Sequence, residues 1–298
     1  MATTLNQTFT EFLGRLEPTD KQKDDARTKH LGVRLALNEK LWLSSVFLSG
    51  SYGRSTMIRP PSDIDLFVVL DWQKYSNDYF YAPDGPSKVL ERFHSILKAA
   101  YSTTSIRKDH PAVVLNFSTY GFDVVPALTR PQGGYYVLSR DRSGWVPTDP
   151  SKHAEHTTAR NKATDGSFVQ VVKMMKAWNR DKNYGRLRGF HLEVETGFAW
   201  PKKQNSDQLE VVGYNRHALP TVFRVMASTL NYRTHDPAGL SGEIDGYLSA
   251  DQRKWTQERL LAAAAQADRA VQHERNQRTE WAIGAWRDIF GDNFPAFG

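Results

Sequence analysis

The chain has 298 residues, of which 40% are apolar and 12% aromatic, so it can form one large domain or two ordinary ones with a sizeable core. This composition excludes a disordered chain. Thirty-nine Lys and Arg residues against 33 Asp and Glu give a formal net charge of +6, which suits an anionic partner without identifying one. The absence of cysteine excludes disulfides, Cys-ligated zinc, iron–sulfur clusters and thiol catalysis.

No sign of export or membrane insertion is visible in the sequence. The N-terminal segment lacks the basic stretch followed by an apolar one that a secretory signal would have. No apolar run approaches the ~18 residues of a membrane span. We therefore expect a soluble, cytoplasmic protein that does not bind a membrane.

The first half of the chain predicts a mixture of helices and strands. Apolar residues that recur at helical spacing predict helices at 5–16, 20–42 and 87–101. Short β-rich runs predict strands at 46–48, 64–70, 104–108, 112–118 and 121–127. The last two strands are expected to form a hairpin, whereas 73–86 is expected to be a loop or an insertion.

The second half predicts helices alone, after a long loop at 129–150 that is rich in Pro and Gly. Helical spacing of apolar residues is found at 151–164, 166–181, 186–199, 216–231, 249–275 and 278–290. A polar loop is expected at 200–214. The long loop is the predicted boundary between an α/β domain, residues 1–150, and a helical domain, residues 151–298.

The most informative stretch is a Gly-Ser turn followed by two aspartates. The turn at 49–53 follows a predicted strand, and Asp63 and Asp65 begin the next one. Because residues i and i+2 of a strand point to the same face, these two carboxylates stand side by side while Ile64 and Leu66 face the core. Paired carboxylates repel each other unless a cation lies between them, and Mg²⁺ takes one or two carboxylates plus substrate phosphates.

Two further features point to a nucleotide–metal site. Backbone N–H groups and a hydroxyl at Gly50 and Ser51 are suited to cradle a phosphate where the turn opens a helix. Asp123 lies within an apolar, strand-like run, where an unpaired charge is costly. A strand beside the first would bring it to the same centre, and three carboxylates can support two metal ions. The alternative is that all three acids merely end strands or turns at the surface, but their combination with the Gly-Ser turn argues against it.

These residues resemble the signature of the DNA polymerase β superfamily of nucleotidyltransferases: a Gly-Ser turn, a strand with two acids and a distal acid. More narrowly, the chain resembles bacterial cyclic-oligonucleotide synthases related to cyclic GMP–AMP synthase and 2′-5′-oligoadenylate synthetase. The match lies in GSYGRSTMIRPPSDIDLFVVL, FDVVPAL, VVKMMKAWNR leading to FHLEV, and AIGAWRDIFGDNFP. It implies a bilobed α/β (α+β) fold, with a catalytic mixed-sheet core and N-terminal spine helix in 1–150 and a helical nucleotide-binding lobe in 151–298.

The resemblance also implies roles for single residues. Ser51 would contact the terminal phosphates of a donor triphosphate, and Asp63 and Asp65 would bind both metal ions. Asp123 would complete one metal site and help to activate the acceptor hydroxyl. Lys176 would contact the donor phosphates.

Four positions further along the chain concern the nucleotide. Helical spacing places Lys176 about 80° from the centre of the apolar stripe of its helix and Lys173 about 140°, so Lys176 is expected to enter a cleft and Lys173 to be solvated. A structural, snorkelling lysine is the alternative for Lys176. Phe190 matches an aromatic residue that stacks on a base, although a helical aromatic can also be core. Gly189 stands where the family has a base-reading serine, which leaves base preference open, and Asn161 could read a base edge with its amide.

The resemblance also bears on partners. Without cysteine the chain cannot carry the zinc insertion with which animal cyclic GMP–AMP synthase binds double-stranded DNA, so DNA sensing is not expected. Some relatives are conjugated through their C-termini by an associated ligase, which makes Gly298 a candidate conjugation end for a ubiquitin-like system; a frayed end is the alternative. A downstream effector would recognise the product.

The favoured interpretation is a Mg²⁺-dependent enzyme, with Mn²⁺ as a second candidate metal, that joins nucleoside triphosphates into a cyclic di- or trinucleotide second messenger. The resemblance places it in bacterial anti-phage signalling. One alternative is nucleotidyl transfer to RNA, a protein or a small molecule. Another is a catalytically silent nucleotide-binding sensor, against which the intact acids argue.

Overall fold

The computed structural model of the chain describes residues 4–61, 63–141, 144–200 and 211–298, and for 211–215 the backbone alone. The α-helices in these ranges are α1 Leu5–Leu16, α2 Asp20–Asn38, α3 Gly50–Gly53, α4 Trp72–Tyr75, α5 Gly85–Ala100, α6 Pro150–Ala163, α7 Ser167–Lys182, α8 Gly189–Ala199, α9 Val211–Thr229, α10 Ala250–Arg275 and α11 Thr279–Phe290. The strands are β1 Leu43–Leu48, β2 Asp63–Leu70, β3 Ser105–Asp109, β4 Ala112–Asn116, β5 Gly121–Thr129, β6 Tyr135–Leu138 and β7 Trp145–Thr148. A π-helical turn at Ser76–Phe80 follows α4, and a 3₁₀ turn at Gly291–Asn293 follows α11.

The strands form one mixed sheet in the order β1-β2-β5-β4-β3, with β6 paired to β5 and β7 paired to β6. Strands β2 and β5 are parallel, and the other described pairs are antiparallel. The expected hairpin is confirmed, since β4 pairs with β5. Among the described strands, β2 and β5 form the one parallel pair. The predicted acids lie on these two strands.

The two faces of the sheet have different coverings. Ile64, Leu66 and Val68 of β2 belong to a large apolar core that also contains residues of α2 and α5. On the opposite face, Phe67 and Val69 belong to a smaller apolar cluster with residues of β5 and β6. Because residues alternate between faces, Asp63 and Asp65 lie on the side of the smaller cluster, at the beginning of the strand.

A second large core lies among the helices of the C-terminal half. Helix α7 contributes the predicted stripe, whose members are all buried: Phe168, Val171, Val172, Met175 and Trp178. Helix α1 packs in this core too, with the rings of Phe9 and Phe12 against Phe294 at centroid distances of 5.1 Å each. In the described part of the chain, no helix is long and apolar enough to cross a membrane.

The prediction of a loop at 129–150 was wrong, because this stretch contains the strands β6 and β7. Gly133 and Gly134 have positive φ angles and form the turn that leads into β6. Strand β7 lies at the edge of the sheet and contains Pro147, which an edge position tolerates because no ladder partner needs its missing N–H. Four-residue strands show too few alternations for the sequence pattern to reveal them.

Two other predicted loops also differ. The stretch 73–86 contains most of α4 and the π-helical turn, whose aromatic side chains pack together: the rings of Tyr75 and Tyr79 stack at 5.3 Å. Of the predicted polar loop 200–214, residues 201–210 lie outside the described residues, and α9 begins at Val211. The predicted second helix ends at Asn38 rather than near 42, since β1 begins at Leu43.

Candidate active site

Strand pairing brings the three predicted aspartates to one end of the sheet. Asp63 and Asp65 open β2, and Ile64 and Leu66 are buried on the other face, as predicted. In the parallel register Asp65 lies directly opposite Asp123 of β5. Neighbouring strands are about 4.8 Å apart, so the carboxylate of Asp123 projects beside that of Asp65, on the same face.

The Gly-Ser turn lies against these acids. The N–H of Ser49 donates to the carbonyl oxygen of Asp65 (2.8 Å), and Ser51 is the second residue of the short helix α3. Gly50 has a φ of +58°, and a β-carbon there would overlap Oδ2 of Asp65. Opposite Asp63, a β-carbon at Gly121 would lie 3.1 Å from Oδ1. Glycine at position 50 therefore lets the turn approach the carboxylate more closely than any other residue would.

Replacing Gly50 with alanine is expected to destabilise the protein by about 1–3 kcal/mol, because the positive φ strains an L-residue and the new methyl group displaces Asp65. Turnover should fall with it. The matched control is Gly14→Ala in α1, where a β-carbon meets nothing within 4 Å and the helix should gain about 0.5–1 kcal/mol. Thermal unfolding and turnover of both variants check this; a Gly50→Ala protein that matches wild type in both would contradict it.

Burial and mutual repulsion raise the pKa values of two of the acids. Burial of Asp65 raises its pKa, and the charge of Asp63 raises it further. Three neighbouring cations oppose this rise: Arg54, Arg140 and Lys176. Burial also raises the pKa of Asp123 to about 7, with Asp63 and Asp65 adding to the effect. A cation bound among these carboxylates would relieve the repulsion.

The donor set fits a hard divalent cation that brings ligands with it. Mg²⁺ prefers oxygen ligands and is usually held by one or two carboxylates plus substrate phosphates. Within the ranges that the structure describes, no three His, Asp or Glu side chains are gathered closely enough to enclose an ion alone. The acids of β2 and β5 would thus hold a metal together with phosphate oxygens.

The charge of Lys176 acts on Asp65, but its ammonium group is held by protein groups. Its Nζ donates to Oε1 of Glu193 (2.7 Å), to the carbonyl oxygen of Thr56 (3.0 Å) and to Thr56 Oγ1 (3.1 Å). Arg54 binds the same carboxylate through Nε (2.8 Å) and Nη2 (3.2 Å). Burial would raise the pKa of Glu193, but the charges of Lys176 and Arg54 hold it at about 2. Burial lowers the pKa of Lys176, which Glu193 opposes.

Lys173 is buried, so the prediction that it is solvated was wrong. Its side chain is 6% exposed, and its ammonium group pairs with Glu17. The angular estimate treated α7 alone, whereas α1 packs on α7 and Glu17 follows α1 directly. A neighbouring helix therefore covers the side of α7 that helical spacing assigned to solvent.

The residues predicted to contact a base begin α8. A β-carbon at Gly189 would lie 3.8 Å from Nζ of Lys176. The half-buried ring of Phe190 lies 4.5 Å from the His153 ring and 5.0 Å from the guanidinium carbon of Arg54, measured from the ring centroid. Both residues therefore adjoin the cluster around Glu193.

Asn161 makes a different kind of contact. Its Oδ1 accepts the N–H of Val169 (3.0 Å), which ties the end of α6 to α7. The carbonyl oxygen is thus engaged with the backbone, and the amide nitrogen is the part of the side chain that a base edge would meet.

Glu193 was not among the residues predicted from the sequence. Helix α8 reads GFHLEVETGFA, and its two glutamates stand among apolar residues. A carboxylate inside such a helix needs a partner, because an unpaired buried charge is costly. A glutamate among apolar helix residues therefore indicates a buried, paired carboxylate. The sequence does not identify its partners, because Arg54 and Thr56 lie more than a hundred residues before it.

Comparison with known proteins identifies the family. A model of the Second Messenger Oligonucleotide or Dinucleotide Synthetase domain matches residues 3–161, a range that includes all three aspartates. The chain belongs to this family. Synthetases of this nucleotidyltransferase class normally use a divalent metal ion, in agreement with the oxygen-rich donor set at the start of β2.

Individual members of the synthetase family resemble the chain over nearly its whole length. A cyclic AMP-AMP-AMP synthase from Acinetobacter sp. is 27% identical, covering 98% of this chain and 86% of that protein. Escherichia coli CdnC, in its complex with HORMA-deltaN, has a TM-score of 0.75 at 18% identity over 98% of both chains. The cyclic AMP-GMP synthase DncV from Vibrio cholerae has a TM-score of 0.76 at 12% identity, over 99% of this chain and 98% of that one. The predicted polymerase-β-like fold is confirmed.

Proposed function

We propose that this synthetase joins nucleoside triphosphates into a cyclic di- or trinucleotide and uses Mg²⁺. The observation that carries the proposal is the parallel register of β2 and β5, which sets Asp65 beside Asp123 with Asp63 on the same face. The names of two relatives support both ring sizes, since one is a cyclic AMP-AMP-AMP synthase and the other a cyclic AMP-GMP synthase.

The proposed reaction is the attack of a ribose hydroxyl of one nucleotide on the α-phosphate of another, with pyrophosphate leaving in line. A metal held by Asp63, Asp65 and Asp123 would supply positive charge to the reacting phosphate. Asp123 would also help to activate the attacking hydroxyl. Gly50 and Ser51 would bind the terminal phosphates of the donor through the backbone N–H groups and the hydroxyl of the turn.

Residues of the helical half would supply the other nucleotide contacts. Lys176 would bind donor phosphates by exchanging one of its three present hydrogen bonds, because an ammonium group has three donors. Phe190 would stack on a base, with Gly189 leaving space at its edge. Asn161 would offer its amide nitrogen to a base.

The same proposal covers the roles of the two domains, the place of the reaction and the partners of the protein. The catalytic core would occupy 1–150 and the nucleotide-binding lobe 151–298. We expect the reaction in the bacterial cytoplasm, where its triphosphates are found, with a downstream effector recognising the product in anti-phage signalling. Gly298, which is exposed beyond the buried Phe294, would serve as a conjugation end for a ubiquitin-like ligase system.

Incubation with the four nucleoside triphosphates and Mg²⁺ or Mn²⁺, followed by phosphatase treatment and mass spectrometry, tests the function. Phosphatase-resistant cyclic products are the expected result. Elongating chains or a modified acceptor would show transfer to RNA, a protein or a small molecule instead. Tight nucleotide binding with no product under any condition would indicate a silent sensor.

A further inference from the structure

Glu193 is a buried carboxylate that joins separate segments of the chain. Its side chain is 4% exposed. Oε1 accepts hydrogen bonds from Lys176 of α7 (2.7 Å) and from the hydroxyl of Thr56 (2.7 Å), and Oε2 accepts from Nε of Arg54 (2.8 Å). A carboxylate this far from water is tolerated only when it is paired and hydrogen-bonded, and here both oxygens have cationic partners. Glu193 thus links the segment after α3 to α7 and α8.

The charges of the two cations that Glu193 holds act on Asp65 of the proposed site. Both Arg54 and Lys176 oppose the rise in the pKa of Asp65, and the Arg54 guanidinium carbon lies 5.0 Å from the centroid of the Phe190 ring. The bonds to Glu193 use Nε and Nη2 of Arg54. In the described part of the chain, Nη1 has no hydrogen-bond acceptor on the protein. Glu193 therefore fixes a guanidinium with a free donor group near both Asp65 and Phe190.

Arg54 and Lys176 would not hold this arrangement unaided. Like charges placed near each other are unfavourable, and Arg54 itself lowers the pKa of Lys176. Lysine and arginine side chains also lose considerable rotamer freedom when they are fixed. A carboxylate that orders both cations before the ligand arrives reduces the entropy cost of binding.

We propose that Glu193 is a positioning residue, which holds Arg54 and Lys176 side by side so that their charges meet the phosphates of a nucleoside triphosphate bound at the aspartates. Glu193 itself contacts no substrate. The inference rests on the proposed function, because it assumes a triphosphate at this end of the sheet.

The test compares E193Q with wild type by calorimetric binding of a non-hydrolysable ATP analogue in the presence of Mg²⁺, and by KM and kcat for product formation. Affinity should fall about 10- to 100-fold, because a neutral amide no longer holds both cations through charge-assisted hydrogen bonds. KM should rise in step, and kcat should fall less than KM rises. A residue needed only for folding would not separate KM from kcat in this way.

Glu195 provides the matched control. It lies two residues further along α8 and its side chain is 1% exposed, but it accepts hydrogen bonds from Thr229 and Thr234. The E195Q variant should keep its analogue affinity within about twofold of wild type. An equal loss of affinity in E193Q and E195Q would overturn the proposal, because any buried acid of α8 would then have the same effect.

Two other results would also overturn it. Unchanged affinity in E193Q would show that the cations need no carboxylate, and tighter binding would show that Glu193 competes with the triphosphate for them. Should E193Q fail to fold, E193D retains the charge on a shorter side chain; it should bind the analogue with intermediate affinity, and wild-type affinity would contradict the proposal. Absence of cyclic product from wild type with the affinities as expected would overturn the proposed function alone.

Discussion

Replacing Asp65 with asparagine is expected to lower turnover at least about 100-fold, while the metal-free protein keeps its fold. Asparagine has the shape of aspartate, so it fits against Gly50 without displacing the turn. It lacks the negative charge with which Asp65 would hold the proposed divalent metal. The double variant Asp63→Ala with Asp65→Ala should also be inactive and folded.

The same change should not lower stability in the absence of metal. Burial and the charge of Asp63 raise the pKa of Asp65, which means that its ionised form is unfavourable in the folded protein. Asparagine removes that charge, so the unfolding temperature of D65N at pH 8 in chelator should equal or exceed that of wild type. Asp24→Asn on α2 is the control, since its carboxylate is 72% exposed and pairs with Arg27 of the same helix. Substantial turnover by D65N would contradict the proposal that the carboxylates bind the catalytic metal.

Removing divalent metal with a chelator is expected to abolish turnover and to make stability fall as pH rises. In the metal-free protein, burial together with Asp63 and Asp65 raises the pKa of Asp123 from 3.8 to about 7. Between about pH 4 and about pH 7 the folded chain therefore retains a proton that the unfolded chain has released. More protons bound in the folded state mean that the free energy of unfolding decreases with rising pH through this window.

Thermal unfolding in chelator at a series of pH values measures this effect, and D123N isolates it. The unfolding temperature of wild type relative to D123N should decline from about pH 4 to about pH 7 and level off above that. Mg²⁺ added together with a non-hydrolysable ATP analogue should reduce the decline, because the bound charge compensates the carboxylates. A wild-type curve parallel to that of D123N would contradict a raised pKa at Asp123.

Features with local signals could be predicted from the sequence. Helix α1 spans the apolar residues whose helical spacing predicted it, and Thr19 caps α2 through reciprocal hydrogen bonds with Gln22. Strand β2 is an apolar run preceded by acids, and the alternation of Asp63 to Leu66 specifies which side chains are buried. The pairing of β5 with β2 could be predicted only indirectly. A charged residue, Asp123, within an apolar strand indicated that this strand lies beside the other two acids.

Features that depend on distant partners could not be predicted in the same way. Strands β6 and β7 are stabilised by pairing with β5 rather than by a pattern of their own. Lys173 pairs with Glu17, which precedes it by 156 residues. Glu193 gains its significance from Arg54, which precedes it by 139 residues. Single-element periodicity contains no information about any of these contacts.

The position of α1 determines when the helical core can finish folding during synthesis of the chain. Its aromatic face, Phe9 and Phe12, is covered by rings from the other end of the chain: Trp286, Phe290 and Phe294. At about 5–20 residues per second, roughly 15 to 60 s pass between the translation of the first rings and of the last. During that interval the nascent helix presents an uncovered aromatic surface that chaperones can bind. Because α1 also packs on α7, which carries Lys176, a ribosome-bound chain is not expected to make messenger before residues 286–294 have been translated.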